Sequence, residues 1–178
     1  MQKELQQGFE SATAILRAML DSFHRSGDTE LNTPMQEGKW SAAQTTWHVI
    51  RAMEVSLDYL EYKLAQPHRF SRAGIGSWLR GRILVGSLNS DRKFKAPAIT
   101  AGVPDHITLA ELQHTADAQI ERLRVLLEAF PQQLRNKTVF KHPVAGRLTI
   151  RQMLEFMQAH TYHHKKQTDH FLAQRTAR

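Results

Sequence analysis

The stretch that decides the fold is residues 148–164, LTIRQMLEFMQAHTYHH. Thr149 followed by Gln152 has the spacing of a capping box, in which each side chain bonds the backbone amide of the other residue at the start of a helix. The apolar residues that follow recur at three- and four-residue intervals: Ile150, Met153, Leu154 and Met157. This is the period of an amphipathic helix, so the stretch predicts a helix over about residues 150–174 with one apolar face.

Three further segments show the same helical period and predict helices over about residues 3–25, 42–65 and 109–129. The second and third of these also begin with capping boxes, at Ser41–Gln44 and Thr108–Glu111. No segment has the alternation that is typical of a β-strand. We therefore predict an all-α fold, because four helices with single apolar faces are most simply satisfied by a four-helix bundle.

The connection between the second and third helices, residues 67–107, is much longer than a turn between neighbouring helices requires. Such a length suits a crossover that returns the chain along the bundle, so that helices two and three run in the same direction. We predict a short helix within it, at about Ser77–Val85. No domain boundary is evident, and residues 1–178 are expected to form one domain.

The same connection is rich in basic residues and contains Trp78. Its Lys and Arg residues are Arg69, Arg72, Arg80, Arg82, Arg92, Lys93 and Lys95. If it crosses the bundle beside a functional site, it would form one wall of a pocket and favour anionic or amphipathic substrates. The alternative is a simple tether with a solvated face.

Composition excludes several classes of site. The 178 residues include no cysteine, so disulfides, thiolate ligands and a cysteine nucleophile are excluded, and histidine must carry any metal chemistry. No apolar stretch approaches the roughly 20 residues that a membrane span needs, and the N-terminus is polar. These features predict a cytoplasmic protein with no membrane association.

A net charge of +7 raises the question of nucleic acid. The basic excess lies in two segments, residues 67–107 and 135–178, and no single helix is dense in Lys and Arg. A basic approach to an anionic small molecule, or a solvated surface, is therefore favoured over nucleic-acid binding.

Two histidines of the last predicted helix, His160 and His164, are four residues apart and so project from the same face in adjacent turns. His164 follows Met157 by seven residues and shares its apolar stripe. An imidazole left without a partner in the interior costs about 1–3 kcal/mol. A metal ion would satisfy both rings; Tyr, Gln or backbone groups are the alternative. A third histidine from another helix would complete a half-open site of three neutral ligands, which is typical of catalytic zinc. His48 of the second helix is the candidate, although a single histidine in a core is more often structural than a ligand.

Of the other histidines, His163 lies about 100° from His164 around the helix and is interpreted as a flanking residue. His142 leads directly into the last helix through His142-Pro-Val-Ala-Gly146. The remaining histidines show no ligand spacing: His24, His68, His106, His114 and His170.

Three motifs follow one another in the chain: Ser41-x-x-Gln44-x-x-x-His48, His142-Pro-x-x-Gly146 and His160-x-x-His163-His164-x-x-Gln167. This pattern resembles the DinB/YfiT-like superfamily, and in particular its DinB_2-like members of unknown function. The resemblance covers nearly the whole chain, including the four helices, the long second connection and the order of the motifs.

The resemblance implies a four-helix bundle that binds a divalent metal through one histidine of helix two and two of helix four. On this sequence those residues are His48, His160 and His164. It also implies frequent homodimers. Some members of the superfamily are metal-dependent transferases that add a low-molecular-weight thiol to a substrate, and others are isomerases or hydrolases.

A divalent ion on three imidazoles could lower the pKa of a bound water or bind a thiol as thiolate, so either could be the nucleophile. No carboxylate stands at a convincing general-base position, and Glu155 faces roughly opposite His164. Zinc is our first prediction for the metal, with nickel, iron or manganese as alternatives. Four residues could orient the ligands or a bound water: Gln44, Gln167, His142 and His163.

These observations predict a metal-dependent enzyme, either a small-thiol transferase of a detoxifying kind or a hydrolase, acting on a small molecule. One alternative is a bundle that binds a metal or ligand without catalysis. Another, less favoured, is a stress protein that binds nucleic acid.

Overall fold

The computed structural model describes residues 1–66, 70–90 and 102–176. Four long helices form the body of the protein, and they correspond to the four predicted from the sequence: α1 (Lys3–Asp21), α3 (Ala42–Ala65), α5 (Leu109–Glu128) and α6 (Ile150–Thr176). Shorter elements connect them: α2 (Asp28–Leu31), α4 (Ile75–Asn89), the 3-10 turn Gln132–Leu134 and the strands β1 (Phe140–His142) and β2 (Gly146–Leu148). The all-α prediction is confirmed.

The three capping boxes form as predicted and fix the starts of α3, α5 and α6. At the start of α6, the Thr149 amide donates to Gln152 Oε1 (2.9 Å) and the Gln152 amide donates to Thr149 Oγ1 (3.2 Å). Ser41 with Gln44 and Thr108 with Glu111 make the same reciprocal pairs. Each box satisfies two backbone donors that a helix start would otherwise leave unpaired.

The first helix is shorter than predicted, because it ends at Asp21 and not near residue 25. The Ser22 hydroxyl donates to the Met19 carbonyl (2.6 Å), and the Phe23 amide donates to the Leu20 carbonyl (3.0 Å) in a tighter turn. Phe23 is nevertheless fully buried, which is why its place in the apolar stripe did not reveal the end of the helix.

Helices α3 and α5 run in the same direction, as the long connection predicted. Near their starts, Gln44 Nε2 donates to the Pro104 carbonyl (3.1 Å). Further along both helices, Arg122 donates to Asp58 (2.7 Å) and to Glu61 (2.7 Å). Contacts that advance together along both helices require parallel directions, so the segment between them is a crossover.

The helix within that crossover, α4, extends from Ile75 to Asn89 and so exceeds the predicted Ser77–Val85. Its first half packs on α6 through small residues, since Ser77 and Gly81 are buried while Trp78 is 62% exposed, and Leu88 is buried near its end. Gln152 holds the contact: its Nε2 donates to the Ser77 carbonyl (2.7 Å), and its Oε1 accepts from Ser77 Oγ (2.9 Å). The residue that caps α6 therefore also attaches α4.

The expectation that the chain contains no strand is wrong in one place. β1 and β2 pair antiparallel, with Phe140 opposite Leu148 and both side chains buried. Gly146 takes a left-handed conformation (φ 73°) that allows the chain to reverse. Each strand has three residues, which is too short for an alternating pattern to be recognised in the sequence.

Within the described residues, no helix combines the length and apolar character that crossing a lipid bilayer requires.

The contact between α4 and α6 predicts opposite effects for two glycines of α4. A Cβ on Gly81 would lie 2.5 Å from Gln152 Nε2 and 3.1 Å from its Cδ, so Gly81→Ala must displace a side chain that is held by several hydrogen bonds. We expect Gly81→Ala to lower the free energy of unfolding by about 1–2 kcal/mol through overpacking. Gly86→Ala meets nothing within 4 Å and should raise it by up to about 1 kcal/mol. Urea denaturation of both variants would measure this, and equal effects would contradict the close contact.

Candidate metal centre

The fold brings His48, His160 and His164 together. One ring nitrogen of each lies within 4.8 Å of one from each of the others, as required of groups that could hold one ion. The ring centroids are 5.1 Å apart for His48 with either partner and 4.7 Å apart for His160 with His164. His48 projects from α3 about two turns after its cap, and the other two project from adjacent turns of α6.

The three histidines lie between the core and the surface. His48 is buried with 3% exposed, while His160 and His164 are partly exposed. The Trp40 ring lies 5.1 Å from the His48 ring, and the Phe156 ring lies 5.4 Å from the His160 ring, centroid to centroid. A cavity of about 20 Å³, room for about one water, adjoins His160 between α1, α3 and α6.

The imidazoles of His160 and His164 are neutral, because the surrounding protein shields most of each ring from water. It lowers the pKa of His160 well below its ordinary value, and the neighbouring histidines, His164 first, lower it further. The pKa of His164 is lowered to about 3, mainly by burial and next by His48, although its hydrogen bond to Gln167 acts in the opposite direction. A neutral imidazole has a lone pair to give, so these rings are ready to bind a cation at neutral pH.

A run of hydrogen bonds leads from His164 to α4. His164 Nδ1 lies 3.0 Å from Gln167 Oε1, and Gln167 Nε2 lies 3.1 Å from His163 Nε2. His163 Nδ1 lies 2.8 Å from the Leu88 carbonyl oxygen, in the last turn of α4. His163 is buried, and so it is not the flanking residue that its position on the helix indicated; the end of α4 covers it.

Two of the residues predicted to orient the ligands have other contacts. Both polar atoms of the Gln44 side chain are engaged elsewhere, Oε1 with the Ser41 amide (3.1 Å) and Nε2 with the Pro104 carbonyl. Gln44 is thus a capping residue. His142 Nδ1 accepts from the amides of Val144 (3.2 Å) and Ala145 (3.1 Å), which stabilises the turn of the hairpin.

His142 nevertheless lies near the site through a shared aromatic neighbour. Its ring centroid is 4.5 Å from that of Phe156, the residue whose ring also contacts His160. Burial lowers the pKa of His142 to about 4. Because its Nδ1 accepts hydrogen bonds, the neutral ring carries its proton on Nε2.

Two residues of the predicted basic wall, Trp78 and Arg80, lie in the first half of α4, away from the last turn that contacts His163. Arg80 donates to the Arg147 carbonyl of the hairpin (3.5 Å). Trp78 is ten residues before Leu88, about 15 Å along the helix at 1.5 Å per residue, and its side chain faces solvent. Arg69, Arg92, Lys93 and Lys95 lie outside the described residues.

Sequence reasoning did not identify three neighbours of the site: Trp40, Phe156 and Leu88. Phe156 is four residues before His160, so helical spacing could have placed it on the same face. No local signal indicates Trp40, which precedes α3, or Leu88, whose approach depends on where the crossover packs.

The donor set fits a divalent transition metal. It consists of three imidazole nitrogens, and within the described ranges neither Asp nor Glu belongs to the group. Imidazole suits zinc, nickel, copper and iron about equally, so the ligand type does not select the metal. Three ligands are one fewer than a closed tetrahedral site requires.

Comparison with known proteins identifies the family and the fold. A family model described as the DinB superfamily matches residues 9–168. The chain is similar in structure to YfiT from Bacillus subtilis, described as a probable metal-dependent hydrolase with an unusual four-helix bundle topology. The TM-score is 0.56 and the identity 20%, over 99% of this chain and 90% of that chain. At this identity the likeness shows the fold. No curated protein matches the sequence significantly.

His142 predicts a loss of stability in acid. Its pKa is about 4 in the folded chain against an ordinary 6.5, so between these values the unfolded chain binds the proton and the folded chain does not. The free energy of unfolding should therefore fall as the pH drops from 6.5 to 4. His142→Asn keeps an acceptor for the turn amides but does not titrate.

Urea titrations of the metal-free proteins between pH 4 and 7 would test this expectation. Over that range the His142→Asn variant should lose less free energy of unfolding than the wild-type chain, because it lacks the contribution of His142. The contributions of His160 and His164 are the same in both proteins. Identical pH profiles would contradict it.

Proposed function

This chain belongs to the DinB superfamily, and we propose that within it the chain is a metal-dependent enzyme whose divalent ion is held by His48, His160 and His164. The observation that carries the proposal is the convergence of three imidazole nitrogens from two helices, all within 4.8 Å of one another. Two of these rings have pKa values lowered by burial, so they need no deprotonation at neutral pH to act as ligands.

Three features favour catalysis over a purely structural role. A set of three protein ligands leaves at least one coordination position for water or substrate. His160 and His164 are partly exposed, and His160 lines a cavity. When bound, a divalent ion would supply Lewis-acid activation of a nucleophile at neutral pH.

The nucleophile we propose is water or a low-molecular-weight thiol, and the substrate is a small molecule. YfiT, the similar structure, is described as a probable hydrolase. Within this chain, however, Glu155 is engaged with Arg151 (2.9 Å), and no carboxylate among the described residues joins the histidine group. A thiol demands less of a protein base than water does, so the lack of such a base favours transfer.

Metal stoichiometry tests the ligand set. Purified protein reconstituted with Zn²⁺ or Ni²⁺ and freed of excess should hold one ion per chain by elemental analysis. His48→Ala, His160→Ala and His164→Ala should each reduce the occupancy severely. His170→Ala removes an exposed histidine of the same helix and serves as the matched control, with occupancy unchanged. Full occupancy in His160→Ala would eliminate the site.

Activity separates the two nucleophiles. Metal-loaded protein would be assayed with small electrophilic substrates in the presence and absence of several low-molecular-weight thiols. Turnover that requires the thiol supports transfer, whereas turnover in buffer alone supports hydrolysis. Either activity should be lost in His160→Ala and kept in His170→Ala. Turnover that persists in His160→Ala would contradict the proposed site.

Chelation tests the alternative that the metal only joins α3 to α6. The core that packs these helices is built from apolar side chains, among them Leu57, Leu60, Met153 and Leu154, which are all buried. We therefore expect the chelated protein to keep its helix content and a cooperative thermal transition, with a lower Tm because a ligand of the folded state has been removed. Loss of cooperative unfolding by circular dichroism would instead favour a structural staple.

A further inference from the structure

The hydrogen bonds from His164 to the end of α4 form a directed relay, which we define as His164, Gln167, His163 and the Leu88 carbonyl. We propose that this relay sets the tautomer of His164, so that Gln167 and His163 are positioning residues for the metal ligand. The inference rests on the proposed function in one respect only, namely that His164 binds a metal.

The direction of the relay is fixed at its α4 end. Leu88 lies in the last four residues of α4, whose carbonyls have no partner within an α-helix. A carbonyl oxygen only accepts, so His163 Nδ1, at 2.8 Å from it, must carry a proton and donate. His163 thus caps the C-terminus of α4 from α6.

The remaining bonds follow from that first one. His163 Nε2 lies 3.1 Å from the amide nitrogen of Gln167, which can only donate, so Nε2 is the acceptor of this bond. Gln167 therefore turns its Oε1 to His164, where it accepts from Nδ1–H (3.0 Å). The proton of His164 is held on Nδ1, so Nε2 carries the lone pair and is the atom that can bind a metal.

The relay also connects α4 to the site. Gln152 and His163 are both bonded to α4, and they are 11 residues apart on α6, as are their partners Ser77 and Leu88 on α4. Eleven residues make about three helical turns, so each pair lies on one face and the two helices run in parallel. The last turn of α4 is thereby held at the level of the histidines.

The test uses variants of Gln167, because this side chain is exposed and its replacement should not disturb folding. Gln167→Met removes both the acceptor and the donor. Gln167→Glu keeps an acceptor for His164. Gln174→Met is the matched control, since Gln174 makes the same kind of bond to a histidine four residues earlier, His170 (2.8 Å), away from the site.

The first readout is the tautomer of His164 in metal-free protein, from long-range ¹H–¹⁵N spectra of ¹⁵N-histidine-labelled samples. In the wild-type chain, in Gln174→Met and in Gln167→Glu, we expect His164 protonated on Nδ1 and bare on Nε2. In Gln167→Met the form protonated on Nε2 should become populated. Wild-type spectra with His164 protonated on Nε2, or unchanged spectra in Gln167→Met, would overturn the relay.

The second readout is affinity for Zn²⁺, from competition with a chromophoric chelator. Loss of a group that orients a ligand weakens binding by about 10–100-fold, and we expect this for Gln167→Met. Gln167→Glu and Gln174→Met should stay near the wild-type value. Equal affinity in Gln167→Met and the wild type would overturn the positioning role. A wild-type chain that binds no metal would instead refute the proposed function, while the tautomer spectra would still decide the relay.

Discussion

The capping box at Thr149 and Gln152 is the interaction on which the rest of the structure depends. It fixes the residue at which α6 begins, and with it the direction in which every later side chain of that helix projects. From this register Met153 and Met157 enter the core, and the histidines turn to α3. The same Gln152 also holds Ser77 of α4, so one side chain sets both the start of the longest helix and the place of its neighbour.

The four long helices were predictable from the sequence because their apolar period and caps are local signals. The pair His160 and His164 was predictable for the same reason, since a spacing of four residues is a local property of a helix. That these two residues meet His48 could be anticipated only because a pair of histidines leaves a metal site one ligand short, and because the family resemblance supplied the third ligand. The structure brings these three rings together.

Features that depend on tertiary packing were not predictable. His163 looked peripheral on its own helix, and it is buried only because α4 ends against it. Trp78 looked like a pocket residue, yet this part of α4 packs through Ser77 and Gly81 and exposes the Trp78 side chain. Gln44 could have capped α3 or oriented the ligands. It caps α3, because its Oε1 accepts from the Ser41 amide and its Nε2 donates to the Pro104 carbonyl.

The crossover that follows α3 has a consequence for how the candidate site can form. Its ligands come from residue 48 and from residues 160 and 164, more than a hundred positions apart and on opposite sides of the crossover. Contacts of such high sequence separation require most of the loop-closure entropy to be lost before they are made. A fragment that contains α6 alone offers two of the three nitrogens. The complete set of ligands is therefore a property of the finished tertiary structure, and no single helix of the protein carries it.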